Sequence, residues 1–124
     1  MYNSTLFKLE KRLGVFFYST STQGIKGKIK LFTEDFVVKE DSFISVNPNG
    51  NHLVLVIEKR NISTYYVVEY LSKKLRINKK LIGVAGIKDA DAVAVQKISI
   101  PYVEGFNPDE INIKGRLRIL KTYR

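Results

Sequence analysis

The sequence predicts an α/β chain of the α+β kind, a mainly antiparallel sheet of five or six strands with two helices packed on it. Two observations carry that reading. Period-two alternation of apolar and polar residues recurs in "DFVVKEDSFISV" (35–46), "HLVLVIEKR" (52–60) and "AVAVQKISIP" (92–101). Between the second and third of these, "NISTYYVVEYLSKKL" (61–75) changes to the spacing of a helix. With 124 residues there is material for one domain and one core, so residues 1–124 are read as a single domain.

The elements follow in chain order. Ser4 can cap a short helix whose Leu6, Leu9 and Leu13 lie at helical spacing, and Gly14 is placed to end it. "VFFYST" (15–20) reads as a strand, and "QGIKGKIKLF" (23–32) as a glycine loop running into a strand that carries Lys28 and Lys30. Those glycines lack the Gly-x4-Gly-Lys-Ser/Thr spacing of a phosphate-binding loop. Residues 35–46 form a strand, and "NPNGN" (47–51) offers an Asn-Gly turn joining it to 52–60 as a hairpin. Thr64, Val67, Val68, Leu71 and Leu75 share one face of a helix over 64–75, capped by Ser63, with lysines in the last turn facing the negative end of the helix dipole. "KLIGVAGIKD" (80–89) has the apolar run of a buried strand ending at a charged pair. The next strand, 92–101, stops at Pro101; "EGFNPDEIN" (104–112) is a loop; and "IKGRLRILKTYR" (113–124) is an irregular strand with a basic face.

Composition narrows the chemistry. No segment approaches the roughly 20 uninterrupted apolar residues of a membrane span, and the first residues lack the order of a secretory signal, so the reading is cytoplasmic with no membrane partner. The absence of cysteine excludes disulfides, thiolate nucleophiles and cysteine zinc sites. The one histidine, His52, sits beside a turn and reads as a solvated residue, which leaves no support for a histidine metal site or a Ser-His-Asp triad. The sequons at Asn3 and Asn61 are chance matches in a cytoplasmic chain. Twenty-one Lys and Arg against twelve Asp and Glu give a net charge of +9, which points to a polyanionic partner.

Within "GVAGIKDADAVAVQ" (83–96), Lys88 and Asp89 stand among small and apolar residues. A carboxylate at the end of a buried strand loses water, which raises its pKa unless a cation or hydrogen-bond donors hold it charged. Lys88 points to the opposite face of such a strand, so Lys28 and Lys30 are the better partners. From pattern alone two readings stay open: Asp89 opens a turn in "KDAD", or it is a buried nucleophile or base.

"GVAGIKDADAVAVQKISI" resembles the motif around the catalytic aspartate of the TruD family of tRNA pseudouridine synthases, with Gly83, Ala85, Gly86, Lys88, Asp89, Ala92, Val93 and Gln96 in register. "GKIKLFTEDFVVKE" (27–40) is similar to the family's first motif, and "EKRNISTYYVVEYLSKKL" (58–75) resembles the stretch in which Lys-Arg-Asn and a capping Thr lead into a helix. The resemblance implies the amino-terminal part of a pseudouridine synthase catalytic domain. It also implies isomerisation of uridine in tRNA, in the D arm at position thirteen, without cofactor or metal. Asp89 would be the catalytic aspartate and Lys30 its ionic partner. Lys28, Arg60, Asn61, Lys88 and Gln96 would contact RNA or substrate while the uridine is turned out of its stack.

Three departures accompany the match. Ala90 and Asp91 follow the aspartate where basic residues are usual in the family, and the second acid is expected to raise the Asp89 pKa and repel phosphate. Thr33 replaces a usual proline and Ala94 a usual threonine. The family's later motif, Asn-Phe-Phe-Gly and then Gln-Arg-Phe-Gly, is absent from the sequence. The expectation is therefore a fragment, a split half or a non-catalytic RNA-binding remnant. Its half sheet should expose apolar surface to a second copy or to a complementary chain.

Overall fold

Leu53, Leu55 and Ile57 occupy alternate positions of one strand, and their shared face organises the chain. The computed structural model describes residues 4–14, 27, 28 and 30–124. In order, these form α1 (Ser4–Arg12), β1 (Val37–Lys39), β2 (His52–Arg60), α2 (Thr64–Leu75), β3 (Gly83–Val84), β4 (Val93–Pro101) and β5 (Leu117–Tyr123). The five strands make one sheet of order β1-β4-β2-β5, with β3 also on β4. All neighbours are antiparallel except β1 and β4.

In the β2–β4 register, Leu53 faces Ile100 and Leu55 faces Ile98. These pairs, with Ile57 and Leu117, pack against Val67 and Leu71 of α2, and Ile62, Ile82 and Ile111 close the margins. The same row continues as Ile57–Gln96 and Lys59–Ala94. The buried face is thus apolar at one end and polar at the other, where Lys59, Thr64 and Gln96 are the buried polar residues.

Helix α2 spans the expected residues. Ser63 accepts a hydrogen bond from the Tyr66 amide at 3.1 Å, satisfying one of the amides that a helix start leaves without an internal partner. Arg76 takes the left-handed conformation (φ 55°) at the other end, and the Ile77 amide returns to the Ser72 carbonyl at 3.1 Å. Leu9 of α1 and Leu13 just beyond its end face solvent. No helix among the described residues is long and apolar enough to cross a membrane.

The hairpin expected between 35–46 and 52–60 does not form. Only Val37–Lys39 of the first segment is a strand, and it runs parallel to β4. The turn explains why. The Gly50 amide bonds the Asn47 carbonyl at 2.9 Å across Pro48 and Asn49, and Gly50 has no positive φ. Proline at the second position belongs to turns whose twist splays flanking strands, unlike the mirror-image turns of two-residue hairpins. Just past β1, the Glu40 amide still donates to the Val95 carbonyl at 2.8 Å, and its side chain accepts the Lys97 amide at 3.1 Å.

The strand expected over 80–89 shortens to Gly83–Val84, and residues 85–92 form a loop. The glycine at 86 sits at φ +94°, a conformation that side-chain-bearing residues rarely adopt. Lys28 and Lys30 lie in irregular backbone rather than on a strand. The strand expected over 15–20 falls outside the described residues. By contrast, 92–101 and 113–124 yield β4 and β5 close to their expected bounds.

Candidate active site

The loop 85–92 is fastened from beneath by the polar end of the core. The Lys88 amide donates to the Thr64 hydroxyl at 3.0 Å, and that hydroxyl meets Gln96 Oε1 at 3.0 Å. Lys59 Nζ donates to the carbonyls of Ile62 at 2.8 Å and Asp89 at 2.5 Å. At the far end of the loop, the Asn61 amide donates to the Ala92 carbonyl at 3.2 Å. Asn61 itself is left-handed (φ 51°), and this turn carries the chain from β2 into α2.

Above this base the Asp89 side chain stands 39% exposed and forms an ion pair with Lys30. Its other carboxylate oxygen accepts the Asp91 amide at 3.0 Å. The Lys30 ammonium lies 4.2 Å from the centre of the Phe36 ring, a distance at which the ring face attracts a cation. Lys30 reaches this position from a left-handed backbone (φ 54°).

These contacts set the electrostatics. The Asp89 carboxyl is held below its ordinary value, first by the hydrogen bond from Lys30, then by the Asp91 amide, with the positive charge of Lys59 adding to the effect. The expected rise caused by a second acid is therefore overturned. Asp91 acts on Asp89 through its main-chain N–H, which favours the charged form. Lys59 is shifted down by burial, a shift opposed by Asp89 and reinforced by Lys88.

The remaining sequence candidates are spread around this centre. Lys28 is exposed, and it is Lys30 that reaches Asp89. Lys88 is half-buried, its Nζ passing 3.8 Å from the position a Cβ would take on Gly86. Arg60 lies on the opposite sheet face, bonded to Glu34 at 3.2 Å and Glu58 at 3.4 Å, and Arg118 joins it on Glu58 at 3.4 Å. Gln96 corrects an expectation. It is fully buried (0% exposed), so it supports the loop through Thr64 rather than presenting itself on an open surface.

Two residues of this site were not singled out from the sequence, Lys59 as a buried cation and Thr64 as a support for Lys88. Lys59 had a signal: it continues the inward series 53, 55, 57, a position where a lysine has to find partners. Thr64 had its place on the buried face of α2 and the motif's threonine ahead of the helix, but its partner, 24 residues away, had no local signal.

Comparison with known proteins places this geometry in a family. Residues 12–123 match the family model described as tRNA pseudouridine synthase D (TruD). The chain is 38% identical over 118 residues to "Probable tRNA pseudouridine synthase D" of Methanosarcina acetivorans, an alignment covering 94% of this chain and 27% of the relative. The protein of the same description from Methanococcoides burtonii is 40% identical over 113 residues, covering 90% and 26%. A crystal structure of a TruD protein from Methanosarcina mazei superposes with a TM-score of 0.70 at 35% identity, covering 94% of this chain and 27% of that one. The chain thus spans about a quarter of the length of the relatives it matches. Over that span the sequence and the fold agree, and the chain belongs to the tRNA pseudouridine synthase D family.

Proposed function

We propose that this chain supplies the catalytic aspartate of a tRNA uridine isomerase, with Asp89 as the catalytic residue and Lys30 as its ionic partner. One observation carries the reading: Asp89 is open to solvent yet held ionised on a loop that the core fastens from below. In such an isomerisation the bond from the sugar C1′ to N1 of uracil breaks and a bond from C1′ to C5 forms. N1 gains a proton and C5 loses one, so no oxidant, metal or cofactor is required. An ionised carboxylate can attack the sugar or accept a proton from it.

The substrate proposed is a uridine in the D arm of tRNA, turned out of its stack to reach the loop. The proposed RNA contacts are Lys88 on the loop, Asn61 bonded to its far end, exposed Lys28, and Arg60 on the opposite sheet face, and the three basic side chains suit phosphates. Phe43 (95% exposed), Val46, Val84 and Leu120 leave apolar surface uncovered. This favours association with a complementary chain, or a second copy, that completes the site.

The test is tritium release from tRNA carrying uridine tritiated at C5, using the chain alone and together with any polypeptide that copurifies with it from its own cells. Asp89→Ala should abolish release, and unchanged release would sink the assignment. A second reading, an RNA-binding module without base chemistry, is favoured by the net charge of +9. It predicts salt-dependent binding of structured RNA and no tritium release under either condition.

A further inference from the structure

The inward row of β2 reads Leu53, Leu55, Ile57 and then Lys59, all on the face that α2 covers. An apolar side chain at the fourth position could fill the row without the cost of taking a charge out of water. Lys59 is instead 0% exposed. Both carbonyls that receive its ammonium belong to irregular backbone: Ile62 just before the cap of α2, and Asp89 in the loop before β4. A single side chain therefore ties two loops to the central strand.

The tie falls at a particular place. Thr64 holds the peptide N–H that precedes the Lys88–Asp89 pair, and Lys59 holds the carbonyl that follows it. With the flanking peptides fixed on both sides, the pair retains only its internal torsions. The Asp91 amide on the Asp89 carboxylate then sets the last of them. We infer that Lys59 is a positioning residue of this site, whose buried ammonium grips the Asp89 main-chain carbonyl and so fixes the direction in which the carboxylate faces Lys30 and the substrate. This rests on the reading of Asp89 as the catalytic residue. The charge of Lys59 supports the same end, since it adds to the forces keeping Asp89 ionised.

The experiment uses Lys59→Met, which keeps the length of the side chain and removes its donors, with Ile57→Val as a control for packing loss in the same row. Amide exchange at Asp91 and the carboxyl titration of Asp89 are followed by NMR, beside the tritium assay. In Lys59→Met the Asp91 amide should exchange about tenfold faster or more, because the carboxylate that holds it is released. The Asp89 titration should move up toward the ordinary carboxylate range. Turnover should fall roughly ten- to a hundredfold through kcat with KM little changed, the scale on which a displaced reacting group costs rate. Ile57→Val should lower stability and leave the Asp91 amide and the Asp89 titration as they were.

Unchanged exchange and titration in a folded Lys59→Met protein overturn the inference, whatever the activity shows. If Lys59→Met does not fold, the unmodified protein decides. Protected Lys59 ammonium protons with NMR contacts to residue 89 support the tie, and a freely exchanging ammonium overturns it. Failure of the catalytic reading looks different, since Asp89→Ala would then keep its turnover while the NMR effects of Lys59→Met remain.

Discussion

The Lys30 ammonium and the Asp89 carboxylate, 59 residues apart in the chain, form an ion pair beside the ring of Phe36. Both side chains keep about a third of their surface in water, at 33% and 39%. The pair is therefore screened by solvent and adds little to stability. What it sets is the protonation state of Asp89.

Lys30→Met should raise the Asp89 pKa toward the ordinary carboxylate value, because the largest of the influences holding it down is removed. The sign for stability follows from linkage. A carboxyl whose pKa is lowered by folding contributes stability that is fully present above its unfolded value and lost as pH falls through the lowered folded value. Lys30→Met should therefore lower stability slightly at neutral pH and converge on the unmodified protein in acid, which flattens the acid limb of the stability curve. Carboxyl titration by NMR together with urea unfolding at several acidic pH values measures both effects. An Asp89 titration that does not move in Lys30→Met contradicts the prediction.

Lys59 works in the opposite pH range. Its pKa is lowered by burial from 10.5, so between the lowered value and the ordinary one the unfolded chain binds the proton that the folded chain releases. Stability should rise with pH across that window. Lys59→Met should remove the rise and should be destabilising at pH 7, because the Ile62 and Asp89 carbonyls lose their donor. Urea unfolding of both proteins from neutral to alkaline pH makes the comparison, and an identical alkaline limb in the two proteins counts against it.

Thr64→Val keeps shape but strips the loop of a buried partner. The Lys88 amide loses its acceptor, and Gln96, whose Nε2 already lacks a partner among the described residues, loses the contact at Oε1 as well. Leaving buried polar groups unpaired costs about 1–3 kcal/mol each, so the loss should be on the order of 2 kcal/mol in chemical unfolding. Thr64→Ser keeps the hydroxyl and should lose less. Equal stability of the Val and Ser variants would show that the hydroxyl carries no such load.

How much of this was readable from the sequence depended on how local each signal was. Helix α2 could be bounded because its cap, its face and its basic last turn all lie within 61–75. β4 and β5 were visible in their alternation. The hairpin failed because the turn sequence allowed two geometries, and Pro48 decided between them through twist rather than composition. Residues 80–89 had the apolar content of a buried strand, yet Gly86 at positive φ and the ties to Lys59 and Thr64 make most of that run a loop. The proposed link between Lys30 and Asp89 came from the motif resemblance, and the polar base beneath it depends on a β2–β4 register that no single segment encodes.

Asp91 gives the last test, since it stands where the family usually carries a basic residue. Its contact with Asp89 is made by the main-chain amide, while its own side chain is exposed. Asp91→Lys should therefore leave the Asp89 titration low, because neither the amide nor the Lys30 contact is touched. The change of sign beside the loop should still be felt by a polyanion. One added phosphate contact steepens the dependence of log affinity on log salt by about 0.7–0.9. RNA binding by Asp91→Lys should accordingly be tighter at low salt and converge on the unmodified protein as salt rises. Fluorescence anisotropy with a labelled stem-loop RNA over a salt series reads the slope, and NMR reads the carboxyl. A steeper slope with an unmoved Asp89 separates the two roles of residue 91, its amide organising the carboxylate and its side chain setting the field that RNA meets. An unchanged slope would place the side chain of residue 91 away from the RNA path, and a raised Asp89 pKa would show that the loop geometry depends on the side chain after all.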